Sequence, residues 1–82
     1  MSRAEYINAS SVSRFVNQKL GKNHPFTIQQ RLYIEIVYNP RSAEAHNTLT
    51  RLMAALEQHG YLARYAPSGD RVLVLGKKRV KA

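Results

Sequence analysis

The chain has no cysteine, only four glycines and only five acidic residues, and each scarcity removes a class of explanation. Without cysteine no disulfide can staple a small fold, and no Cys/His set exists for a structural zinc. The missing thiols fit a reducing cytoplasm, which is the expected location. Sparse glycine leaves no phosphate-binding loop of the Walker or dinucleotide type. Long apolar runs are missing as well. The most apolar stretch, Leu32-Tyr33-Ile34-Glu35-Ile36-Val37-Tyr38, contains a glutamate and falls far short of the ~20 residues that a membrane helix needs. The opening Met1-Ser2-Arg3-Ala4-Glu5-Tyr6 lacks the apolar region of a secretion signal. A soluble, intracellular protein without membrane contact is expected.

What is abundant is positive charge. Thirteen lysines and arginines stand against five acids, for a net +8 over 82 residues. A field of that size attracts polyanions and speeds encounter with them, so DNA or RNA is the expected partner. The length allows one domain, and an apolar fraction of 44% is enough for a small core, though so short a chain buries a modest share of its surface.

Helix periodicity places the first element. Val12, Phe15, Val16 and Leu20 recur on one helical face behind the potential caps Asn8, Ser10 and Ser11, and Gly21 is a natural stop, so a helix is expected over 10–20. Residues 27–38 carry two patterns. Leu32, Ile34, Ile36 and Tyr38 alternate as one face of a strand, while Ile28, Leu32 and Ile36 also fit a helix that Thr27 would cap. The β-branched and aromatic content favours the strand. Asn39-Pro40 interrupts the chain, with Pro40 suited to the first turn of a second helix over 43–59. That helix turns Ala45, Leu49, Leu52, Met53 and Leu56 inward, and Gly60 ends it. Residues 61–66 and 71–75 read as two strands around the turn Pro67-Ser68-Gly69-Asp70. Both strands carry apolar residues on both faces, so one of them is expected inside a sheet or under a helix. Residues 1–76 form the expected domain, and 77–82 a basic, mobile tail.

Catalysis finds little support. His24, His46 and His59 lack metal-ligand spacing, and no pair of acids is placed for acid–base work. The serines at 10, 11 and 13 read as caps. Neither a metal nor a cofactor is implied, and a non-enzymatic protein is expected.

The stretch from Thr48-Leu49-Thr50-Arg51-Leu52 through His59-Gly60-Tyr61 to Pro67-Ser68-Gly69-Asp70-Arg71-Val72-Leu73-Val74 resembles the recognition helix and wing of winged-helix DNA-binding domains. The resemblance covers residues 48–75. It implies that Asn47, Thr50, Arg51 and Gln58 form an outward stripe able to reach bases or phosphates, with Arg64 and Arg71 on a wing against phosphates. Lys77, Lys78, Arg79 and Lys81 would add backbone contacts from the tail. The interval between Pro40 and Thr48 is short for that family, so either 27–38 supplies its extra helix or the fold is a different α+β type. The run Leu32 to Val37 is also similar to the first sheet motif of RNA-recognition domains, where a strand aromatic such as Tyr33 stacks a base.

The expected architecture is a small α+β domain ordered helix, strand, helix, β-hairpin, with a core of Val12, Phe15, Val16, Leu20, Ile34, Ile36, Leu49, Leu52, Met53, Leu56, Val72 and Val74. The expected function is non-catalytic nucleic-acid binding in the control of transcription, replication or recombination. The rival is a small phage- or plasmid-type inhibitor that occupies a nucleic-acid-handling protein complex, which size and charge fit equally well.

Overall fold

The computed structural model describes residues 4–5 and 7–78. The first helix, α1 (Ala9–Leu20), follows a two-residue strand β1 (Ala4–Glu5). Its start is a capping box: the Asn8 side chain accepts the Ser11 N–H at 2.8 Å while the Ser11 hydroxyl faces back to the Asn8 backbone. Gly21 ends it at φ 82°, a conformation that L side chains rarely adopt, and its N–H reaches the Asn17 carbonyl at 2.8 Å.

Residues 27–38 form neither a helix nor one strand. They make a hairpin of β2 (Thr27–Gln30) and β3 (Ile34–Val37), reversing at Arg31-Leu32-Tyr33. The expected face of four apolar residues is corrected accordingly. Ile34, Ile36 and Tyr38 are buried, but Leu32 is 89% exposed at the tip of the reversal. The reason is register: Ile28 pairs with Ile36 across the hairpin and packs against the core, so Leu32 lies beyond the last ladder pair, Gln30 with Ile34.

The second helix, α2 (Ala43–Gln58), starts at the expected residue, but Pro40 is not in its first turn. Ser42 is its cap, accepting from the Ala45 N–H at 3.2 Å. Pro40 sits ahead of the helix in a turn held by Ser42 N–H to the Asn39 carbonyl and Arg41 N–H to the Asn39 side chain, both 3.0 Å. Two further strands follow, β4 (Tyr61–Tyr65) and β5 (Arg71–Lys78). The expected turn at 67–70 joins them, with the Gly69 N–H donating to the Ala66 carbonyl at 2.9 Å. β5 runs past the expected domain end at 76. Lys77 and Lys78 are strand residues paired with Tyr61 and with Glu5 and Ala4 of β1, not part of a loose tail; residues 79–82 lie outside the described part.

The result is an α+β domain in which a helix followed by a hairpin occurs twice. The antiparallel sheet runs β2-β3-β5-β4, and β1 continues β3's position along β5. β5 is central: Val72 and Val74 face the helices, while Leu73, on the other face, is flanked in register by Glu35 and Arg64 and is 9% exposed. Both helices lie on one face, because Val12, Phe15, Val16, Leu49, Leu52 and Leu56 share one cluster with Ile34, Ile36, Val72 and Val74. Leu20 and Met53, expected in the core, flank it half-buried, and Phe26, Tyr38 and Ala45 complete it. Among the described residues nothing covers the other sheet face, and no helix is long and apolar enough to cross a membrane.

Candidate nucleic-acid interface

The expected stripe Asn47, Thr50, Arg51 and Gln58 is exposed along α2. Thr50 turns its hydroxyl back to the His46 carbonyl at 3.2 Å, as helical threonines do. The electrostatics of this helix are unpromising for a phosphate surface. Arg51 is its one basic residue, set against Glu44 and Glu57, so α2 contributes a net −1 to a strongly positive protein. The resemblance to a winged helix finds its helix-then-hairpin order here, but the hairpin is built into the sheet, with β5 at the centre.

The two hairpin arginines differ. Arg64 is exposed on β4 and pairs in register with Leu73 on the uncovered sheet face. Arg71 is committed internally. Its guanidinium contacts Glu35 at 3.0 Å and Asp70 at 2.9 Å, and Gln29 donates to the same Glu35 carboxylate at 2.8 Å. Glu35 is 8% exposed on an otherwise uncovered face, and these donors are what permit a carboxylate to be buried there. Sequence reading missed this network because Glu35 and Arg71 meet only through the β3–β5 register.

Hydrogen bonds from Arg71 and then Ser68 hold the Asp70 carboxyl well below the usual carboxylate range. The folded state therefore takes up this proton less readily than the unfolded chain does. The stabilisation is complete above the ordinary aspartate value of about 3.9 and is lost as pH falls below it. Asp70→Asn is accordingly expected to flatten the acid limb of a stability–pH curve while leaving neutral-pH folding in place. An unchanged acid limb in thermal melts would remove Asp70 from this role.

Lys19 and Lys77 stand over an aromatic cluster that sequence spacing did not indicate. Phe15 of α1 lies 5.0 Å, ring to ring, from both His59 at the end of α2 and Tyr61 at the start of β4. The Lys19 ammonium stands 5.8 Å from the Phe15 ring centre, and the Lys77 ammonium 5.2 Å from that of Tyr61. Lys78 is beside them, its N–H donating to the Gly60 carbonyl at 2.7 Å. Each ring holds its cation by the attraction of its π-face, so long flexible side chains are kept together at one end of the domain. The only ion pairs among the described residues are those of Arg71. The signals available in sequence were the (i, i+4) spacing of Phe15 and Lys19 and the Gly-Tyr after α2. The expected contacts Arg79 and Lys81 lie outside the described residues.

The histidines are dispersed. His24 bridges the Asn17 side chain at 2.9 Å and the Phe26 N–H at 3.2 Å, closing the loop after α1. Among the described residues no three His, Asp or Glu side chains are grouped to hold a metal. No protein-family model, curated protein or solved structure matches this chain.

Proposed function

We propose that the protein is a non-catalytic nucleic-acid-binding protein whose main phosphate contacts come from Lys19, Lys77 and Lys78 rather than from α2. The observation that carries this reading is the pair of ammonium groups held over the joined rings of Phe15 and Tyr61, in a chain of net charge +8. Phosphate binding releases condensed counterions, so affinity should fall linearly in log–log form with salt, by about 0.9 per contact on duplex and about 0.7 on single strands. Fluorescence anisotropy across a salt series is the test. Lys19→Ala with Lys77→Ala should flatten the slope by roughly 0.7–0.9 for each lysine removed. Arg51→Ala should leave it nearly unchanged. If Arg51→Ala instead erases a preference for one duplex, worth about 1–3 kcal/mol, the α2 stripe is the reading surface; no binding at low salt sinks the proposal.

The inhibitor reading draws on a different observation. Leu32, Tyr33 and Leu75 are exposed, at 89%, 40% and 42%, and exposed apolar residues in one place mark contact surfaces for proteins as well.

A further inference from the structure

Among the described residues four large apolar side chains are exposed, and three of them, Leu32, Tyr33 and Leu75, belong to one corner of the sheet. Leu32 and Tyr33 form the reversal between β2 and β3. The β3–β5 ladder ends with Ile34 opposite Val74, so one step further places Tyr33 in line with Leu75. Leu75 is itself an extra residue. Val74 faces the helices, so Leu75 turns to the opposite face, and because Ala63 pairs with Val74 and Leu62 with Gly76 it is left as a bulge without a partner on β4. A strand end and a bulge thus turn three apolar groups to solvent at one place, where either device alone would expose one or two.

Charge selects the occupant. Arg31 adjoins Leu32 in the reversal, and Lys78 follows Leu75 along β5, while Lys77 turns to Tyr61 on the helix side. An anionic chain that also offers flat apolar faces fits such a corner, and a single-stranded nucleic acid is such a chain. A duplex presents phosphates but hides its base faces, leaving Leu32 and Tyr33 without use. We infer that this corner binds single-stranded nucleic acid, an unpaired base lying on the Tyr33 ring beside Leu32 and Leu75 while Arg31 and Lys78 take the flanking phosphates. The inference rests on the nucleic-acid reading above and adds the strand class and the base-contacting residues.

The test compares a labelled unstructured oligouridylate or oligothymidylate with a blunt duplex of equal length at one salt concentration. The wild-type protein should bind the single strands more tightly. Tyr33→Leu keeps size and apolarity but loses the aromatic face, and should weaken single-strand binding by roughly 5- to 150-fold, the range for one stacked base, with duplex binding unchanged. Tyr33→Phe should retain wild-type affinity. Because Tyr33 stands at an exposed reversal, thermal melting should show both variants folded; should Tyr33→Leu unfold, Leu32→Ser, at the most exposed position, gives the same comparison. Equal affinity of Tyr33→Leu and wild type for the single strands, or a preference for duplex, would overturn the inference while leaving nucleic-acid binding standing. Failure of the wild type to bind either probe would instead remove the underlying function. Concentration-dependent dimerisation abolished by Leu32→Asp would assign the corner to a second copy and overturn it too.

Discussion

Leu52→Ala is expected to destabilise the protein by about 2–5 kcal/mol, the cost of removing a leucine's methyl groups and leaving a cavity. Leu52 is 0% exposed and sits among Val12, Val16, Leu49, Leu56, Val72 and Val74, where both helices meet the sheet. A small domain loses roughly 4–8 °C of melting temperature per kcal/mol, so the variant should melt about 8–40 °C lower or be unfolded at room temperature. Leu56→Ala, at 1% exposure, should behave alike. Met53→Ala should cost less, because Met53 only flanks the cluster. Circular dichroism melts decide the matter. Were Leu52→Ala to melt within a few degrees of wild type, the burial of this face of α2 would be wrong.

The second large effect concerns the ion network on the uncovered face, and its asymmetry is the informative part. Arg71→Ala should destabilise by about 1–3 kcal/mol, the cost of leaving a buried polar group unmatched. Glu35 would retain only Gln29 as a partner, and its side chain is 11% exposed. The guanidinium is itself about one-third exposed at 32%, so water screens part of the interaction and the lower half of that range is expected. Glu35→Gln should cost less, since Arg71 keeps two hydrogen bonds to Asp70. Replacing both by leucine should be close to neutral, as for other buried pairs exchanged for apolar residues. Chemical denaturation of the three variants measures this order. A larger loss for Glu35→Gln than for Arg71→Ala would show that the carboxylate, not the guanidinium, organises the network.

Much of this fold was legible in advance. The cap at Ser42 was not singled out, but the two helices follow from apolar spacing bounded by Asn8, Gly21 and Gly60, all local signals. The turn at Pro67-Ser68-Gly69-Asp70 was legible for the same reason. The β2–β3 reversal was not. Gln30-Arg31-Leu32-Tyr33 contains no glycine, proline or asparagine, so the chain turns there because Ile28 and Ile36 must both reach the core, a demand that local composition does not express. The strand character of Lys77 and Lys78 was hidden in the same way. Their charge reads as a solvated tail, yet their backbones pair with Tyr61 and with β1, and backbone pairing is indifferent to side-chain charge at a sheet's end.

The amino-acid sequence by itself determined the class of fold and the sign and size of the net charge. Net charge is a sum over residues, and helix periodicity and capping act within a few positions, so neither needs a tertiary contact. Only the tertiary structure decided where the charge acts. Lys19 and Lys77 come together because α1 and the end of β5 meet over Phe15 and Tyr61, and Arg71 is tied into an ion pair because β3 brings Glu35 beside it. Leu32, Tyr33 and Leu75 share a corner through a ladder register and a bulge. Register depends on how distant segments share one core, and a shift of β5 by a single residue would turn Arg71 and Lys77 to the opposite face.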